Sequence, residues 1–282
     1  FNNGWELIDQ EIDYKLNIIK INFIYLSHEH PDHFSIPFFK SIDKNLRSNI
    51  KILYQKTIDR KVVKFCTSLG FKCIEIENYQ EIQLNENLKI RIGQVPFYDS
   101  WAIIKYKDFV FINTNDCIME NPRRVNKIRR FVNKCDVLFT QFSYANWIEG
   151  DWYNPEQRRE LAKEKLRRVK LQVDALNPKY TVPYASMIKF CHAENSHMND
   201  GINTPDKAVS FIEKNTSSKP KLFIPNEIWK LNDNINNSEN IDYWNKKYQL
   251  ALNRELISSD NKIELQTLAE SEMTPEIIQF KT

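Results

Sequence analysis

Long apolar runs are missing from this chain: the longest uninterrupted ones are only a few residues, far short of the ~20 that a membrane-crossing helix needs. The opening residues carry no basic-then-apolar pattern of a signal peptide either. A soluble protein without a membrane partner is expected. Neither sign of charge dominates, with 40 Lys and Arg against 37 Asp and Glu. Bulk charge therefore gives no argument for a nucleic-acid partner, and any basic patch has to be local. The five cysteines (Cys66, Cys73, Cys117, Cys135, Cys191) are scattered and form no Cys-x-x-Cys pair. Such a set reads as reduced thiols in a cytoplasmic protein rather than a disulfide framework. The first residue is Phe1 rather than Met, so a trimmed or incomplete N-terminus is expected. The 282 residues suffice for one large domain, or one with an appendage, with a sizeable core.

Histidine is equally sparse, and its placement is the strongest signal in the chain. The five histidines fall in two places only, His28, His30 and His33 in one, His192 and His197 in the other. The first group spells His28-x-His30-x-Asp32-His33 directly after Phe23-Ile24-Tyr25-Leu26 and Ser27. An apolar run rich in β-branched and aromatic residues followed by a small polar one reads as a strand that ends there. The ligand-type side chains then occupy a loop at the strand's C-terminal edge, where His28 and His30 point one way and Asp32 and His33 turn toward a neighbouring position. Two metals can be served. Imidazole with carboxylate suits zinc or iron, whereas carboxylate alone suits magnesium or calcium. A chance polar cluster in a loop is the competing reading, and it is rare at this chain's own frequencies of His and Asp.

Ser35 and Pro37 mark a helix start immediately behind this loop. Lys51–Tyr54, Thr57–Leu69 closed by Gly70, and Lys72–Ile76 read strand, helix, strand. Successive strands follow over 81–84, 88–95, 101–106 and 109–113. Asn113-Thr-Asn-Asp116 then places a carboxylate beyond a strand end, although such an Asn-rich turn by itself more often caps the next helix. A further strand over 136–140 precedes the longest helix. Asn154 caps it, Pro155 and Gln157 complete its first turn, and Ala162, Leu166, Val169, Val173 and Leu176 form its apolar stripe. Its other face carries Arg158, Arg159, Lys163, Lys165, Arg167, Arg168 and Lys170 among Glu156, Glu160 and Glu164, which reads as a solvated surface of i,i+4 pairs. After a short strand at 179–182, residues 184–206 show no periodicity yet hold the remaining histidines, of which His192 is the stronger site candidate. A helix starts at Pro205. Residues 231–240 are rich in Asn, Asp and Ser and read as a flexible linker to a C-terminal helical appendage, so the division expected is 1–230 and 231–282.

A strand followed by His-x-His-x-Asp-His resembles the metallo-β-lactamase superfamily. That resemblance implies an α/β fold, a four-layer αβ/βα sandwich holding one or two metals, here without its first strands. Further segments are similar to the catalytic region of the CMP-N-acetylneuraminate hydroxylase family: Phe1-x-x-Gly4-Trp5-x-Leu7, Ser27 to Phe34, Asp99 to Tyr106, Ile112 to Cys117, Pro183-Tyr-Ala185 and His192, in similar order over roughly residues 1 to 215. The superfamily resemblance implies that Asp116 bridges two metals. It also implies a histidine near the start of the strand at 101, where Gln94 to Asp99 contains none and Asp99 is the nearest substitute; a carboxylate there favours iron or manganese over zinc. The Rieske ligand pairs of the hydroxylase family, Cys-x-His and Cys-x-x-His, are absent from the sequence, so an oxygenase would need electrons from an electron-transfer partner or a segment outside it.

The leading expectation is a dinuclear, iron-dependent oxygenase acting on a small polar or nucleotide-linked molecule. In it His28, His30 and Asp99 hold one metal, Asp32, His33 and His192 the other, and Asp116 bridges. The alternative is a dinuclear metallo-hydrolase of a phosphoester, ester or amide bond, with Asp32 orienting a metal-activated water. A binding protein that has lost catalysis is the third.

Overall fold

Strict alternation along β6 (Leu88–Val95) and β7 (Asp99–Tyr106) sends Ile90, Ile92 and Ala102 to one face of a sheet and Trp101 and Ile103 to the other. Both faces are thereby committed to burial, and a layered structure follows. The computed structural model describes residues 4–10, 18–96, 98–145 and 154–257. Its larger sheet has seven strands in the order β12-β10-β9-β8-β7-β6-β5. Besides β6 and β7 these are β5 (Glu81–Asn85), β8 (Phe109–Asn115), β9 (Cys135–Gln141), β10 (Pro178–Tyr184) and β12 (Lys219–Pro220). Strands β5 to β8 form an antiparallel meander, and β8, β9, β10 and β12 run parallel. The smaller sheet is parallel, β2 (Phe23–Tyr25), β3 (Lys51–Gln55) and β4 (Lys72–Ile76) in the order β2-β3-β4.

The sheets pack face to face through Leu53 and Ile76 of the smaller against Ile90, Ile92 and Ala102 of the larger. Helices cover the outer faces. On the smaller sheet, α1 (Ile36–Ser41) and α3 (Lys61–Ser68) pack Phe39, Val62, Val63 and Cys66 onto Ile52 and Tyr54, with α2 (Lys44–Arg47) between them in sequence. On the larger, α4 (Pro122–Arg129), α5 (Pro155–Leu176) and α6 (Pro205–Asn215) pack Val125, Ile128, Leu166, Val169, Val173 and Ile212 onto Trp101, Ile103, Ile112 and Leu138. The result is the expected αβ/βα sandwich. Trp101 approaches its neighbour strand so closely that a Cβ at Gly93 would lie 1.9 Å from Trp101 Cζ2. Only glycine fits there.

The segment read as a flexible linker is pinned instead. Leu231 and Ile235, with Phe223 and Trp229, cover Val137, Tyr180 and Val182 on the inner face of the larger sheet. The buried Asn237 donates to Pro220 O and accepts from Leu222 N. Helix α7 (Ser238–Leu252) then places Trp244, Tyr248 and Ala251 in one core with Ile8, Phe190 and Met198. Asn237 and Asn240 satisfy backbone groups at a buried crossing. Residues 258–282, the rest of the expected appendage, lie outside the described residues, as does Phe1. The two-stranded ribbon of β1 (Trp5–Leu7) and β11 (Ile188–Phe190) completes the strands.

Candidate metal centre

The histidine loop is fixed at both ends before any ligand is considered. Leu26 N donates to Leu53 O, Phe34 is buried in the core of the smaller sheet, and Ser35 caps α1. Between these anchors Phe34 N and His33 N both donate to His30 O, at 2.7 and 2.9 Å. That turn brings Asp32 and His33 back beside His28.

Ser27 organises the imidazoles. Its hydroxyl lies 3.0 Å from His28 Nδ1 and 3.2 Å from His33 Nδ1, so both rings present Nε2 to the same space. There the Asp116 carboxylate stands, Oδ2 3.8 Å from His28 Nε2 and Oδ1 3.4 Å from His33 Nε2. Asp32 Oδ2 is 3.2 Å from His33 Nε2, and the His30 ring lies edge-on to His28 with centroids 4.5 Å apart. Two groups therefore have ligand atoms all within 4.8 Å of one another: His28, His30 and Asp116, and His28, Asp32 and His33. The donor set suits a metal, since Asp116 Oδ1 is buried without a hydrogen bond. A buried carboxylate oxygen without a hydrogen bond, 3.4 Å from His33 Nε2, is costly unless a cation occupies the space.

Asp116 arrives from the larger sheet and the histidines from the smaller, so the two strands meet across the inter-sheet core rather than side by side in one sheet. Ser100 ties them together: its hydroxyl donates to Ser27 O at 2.6 Å, and Tyr25 Oη donates to Ser100 O at 2.9 Å. Gln55 Nε2 also donates to Ser27 O, at 3.1 Å. Asn115 aims the aspartate. It sits in the left-handed region with φ 38°, which Asn tolerates better than other non-glycine residues. Its Oδ1 accepts from Asp116 N and Cys117 N at 2.5 and 3.1 Å, and its Nδ2 donates to Ser100 O at 2.8 Å.

Burial alone would favour a neutral His33, but Asp116 and Asp32 outweigh it and push His33 up to about 10. Burial likewise opposes ionisation of Asp116, yet His33 and then His28 hold it down to about 2. Asp32 is lowered against its burial by His33. The cluster is thus an imidazolium held between carboxylates when no metal is bound. Cys117 is buried beside Asp99, and both effects push its thiol well up, so it stays a neutral side chain.

The structure brings together His28, His30, Asp32, His33 and Asp116, and leaves Asp99 and His192 outside the two groups. Asp99 Oδ1 instead lies 3.1 Å from His28 Nδ1, the ring nitrogen turned away from Asp116. His192 is buried beyond β11, with its backbone bridged to Ile257, its Nδ1 3.9 Å from Glu194 Oε2 and no hydrogen bond at that nitrogen. The register of the β1–β11 ribbon and the contacts of its neighbour Phe190 with Ile8 and Tyr144 draw this part of the chain toward α7. Residues Gln55 and Lys165 were not legible as site residues. Gln55 ends an ordinary strand, and Lys165 is one cation in a charged helical run. Nothing in the sequence gives Tyr184 or Ser100 a role at the site.

No family model matches the chain. Over 233 residues it is 28% identical to the cytidine monophosphate-N-acetylneuraminic acid hydroxylase of Xenopus laevis, covering 77% of this chain and 38% of that protein. The hydroxylase of Mus musculus is 25% identical over 236 residues, covering 77% and 39%. Among solved structures, a variant of the β-hydroxylase CmlA superposes with a TM-score of 0.51 at 13% identity, covering 73% of this chain and 43% of CmlA. This chain has the metallo-β-lactamase fold. It resembles the CMP-N-acetylneuraminate hydroxylases in sequence and spans 38% to 40% of the length of these relatives. Among the described residues no helix is long and apolar enough to cross a membrane.

Proposed function

We propose that this chain carries the dinuclear metal centre of an iron-dependent oxygenase that hydroxylates a small polar or nucleotide-linked substrate. The observation that carries the reading is Asp116, whose two carboxylate oxygens face His28 Nε2 and His33 Nε2 separately. It is the geometry of a ligand shared by two positions. The hydroxylase activity of the sequence relatives supports the class of reaction, and a donor set of imidazole and carboxylate with a neutral Cys117 supports iron over a softer, thiolate-bound metal.

His28, His30 and Asp116 would hold one metal, and Asp32, His33 and Asp116 the other. Iron bound there would supply the activation of dioxygen. The chain's own groups then do three things. Asp99 and Ser27 fix the orientation of His28 through Nδ1, leaving Nε2 as the ligating atom. Ser100, Gln55 and Asn115 fix the loop and Asp116 relative to each other, so that the ligands are preorganised across two sheets. The phenols of Tyr25 and Tyr184, both pushed above their ordinary range by burial, stay neutral. Asp99 and His192, expected from sequence as ligands, become a positioning residue for His28 and a residue outside the metal shell. Because hydroxylation consumes electrons, a partner outside these residues must donate them.

The test is metal analysis of anaerobically purified protein together with oxygen consumption on adding reductant. Iron in excess of zinc, with oxygen uptake, is expected. Zinc alone with no oxygen uptake would favour the hydrolase reading, in which Asp32 orients a metal-activated water.

A further inference from the structure

Lys165, on the charged face of α5, reaches the C-terminal end of β9. Its neighbours in that run have carboxylate partners: Lys163 pairs with Glu160, Arg167 with Glu160 and Glu164, Arg168 with Glu164, and Lys170 with Asp174. Lys165 Nζ donates instead to the neutral amide Gln141 Oε1, at 2.5 Å, and among the described residues no carboxylate lies within 4.0 Å of it. An ammonium has three donors, so two remain for something else.

Its surroundings are the C-terminal ends of three adjacent strands. Gln141 ends β9, Tyr184 lies opposite it in register on β10, and the Tyr184 hydroxyl donates to Asn113 Oδ1 of β8. Asn115 N donates to Asn113 Oδ1, and Asp116 follows Asn115 directly. Lys165 is close enough to Asp116 to feel its charge, but burial and then Arg168 hold the ammonium down to about 8. A half-buried cation with neutral partners is costly unless an anion completes it. Asp116 is not that anion, because its two oxygens face His28 and His33 and form no ion pair with Lys165 within 4.0 Å.

We infer that Lys165, on the Gln141 and Tyr184 rim, is the side chain that binds an anionic group of the substrate, a carboxylate or a phosphate, beside the metal centre. The inference rests on the metal-centre reading and narrows its substrate to a molecule carrying an anion within reach of Nζ. Lys165 is a substrate-binding residue in this account and takes no part in holding metal.

The experiment uses the metal-loaded chain and two probes, inorganic phosphate and malonate, titrated calorimetrically into the parent, Lys165→Gln and Lys165→Arg proteins. Glutamine keeps a donor for Gln141 but removes the charge, whereas arginine keeps the charge. Lys165→Gln should weaken one probe by about tenfold or more, the size of a lost charge-assisted contact, with metal content and thermal midpoint unchanged. Lys165→Arg should stay within about threefold of the parent. Whichever probe suffers the larger loss identifies the group. Affinity unchanged in Lys165→Gln, equal loss in both variants accompanied by loss of metal, or no binding of either probe by the parent would each overturn the inference. A parent protein that holds no metal would overturn the metal-centre reading itself, and is told apart by the metal analysis alone.

Discussion

Asn115 should matter to this protein although it is not itself in either ligand group, because it sets the direction of Asp116. Replacing it with Ala removes three side-chain hydrogen bonds, to Asp116 N, Cys117 N and Ser100 O, each contributing about 1 kcal/mol net. Alanine must also hold the left-handed backbone, φ 38°, for a further ~1 kcal/mol. A loss of roughly 3–5 kcal/mol follows for the metal-free chain. Asn115→Gly loses the same bonds without the backbone strain and should recover about 1 kcal/mol of that. Urea unfolding of chelator-treated proteins gives the stabilities, and plasma mass spectrometry of the untreated ones gives metal content, which should fall in both variants. If Asn115→Ala stays within about 1 kcal/mol of the parent and keeps its full metal content, the aiming role assigned to Asn115 is wrong.

Loss of either His30 or His33 to Ala should strip most of the metal, whereas His192→Ala should keep it; loss of metal from the last would return His192 to the ligand set that the sequence suggested. In the metal-free chain His33 is raised from 6.5 to about 10, so its contribution to stability is complete below pH 6.5 and disappears as pH climbs through about 10. Asp116, lowered from 3.8 to about 2, contributes above pH 3.8 and is lost as pH falls through about 2. Chelated protein should therefore melt at higher temperature near pH 5.5 than near pH 9.5, with the difference reduced in His33→Gln; an equal difference in that variant counts against the assignment. Gly93→Ala should destabilise by at least ~1–3 kcal/mol, since its Cβ would meet the fully buried Trp101 indole at 1.9 Å; a midpoint unchanged in thermal unfolding would contradict this packing.

Local chemistry made most of the fold legible. Strand β6 and strand β4 match their expected bounds, 88–95 and 72–76, because alternation and flanking turns mark both ends. The helix expected from Thr57 begins only at Lys61, since Arg60 sits in the left-handed region and breaks the run. The histidine loop and Asp116 were visible because ligand-type residues after apolar strands are rare. Their mutual arrangement was not, for it depends on Ser27, Ser100 and Gln55 linking two sheets, and those contacts span 28 and 73 residues of chain. Lys165 was hidden for another reason. In sequence it is one of seven cations on a helix face, and only the position of the strand ends beneath α5 separates it from those that meet solvent. The linker reading of 231–240 failed because composition does not report whether asparagines cap buried backbone groups or face water.

The most direct test of the central claim is metal stoichiometry in the parent and in Asp116→Asn, both purified without oxygen. If Asp116 bridges two metal positions, one through the oxygen facing His28 and one through the oxygen facing His33, the parent holds metal at both, and the substitution lowers occupancy at both together. A parent without bound metal, or an Asp116→Asn protein that retains the parent's full content, would contradict it.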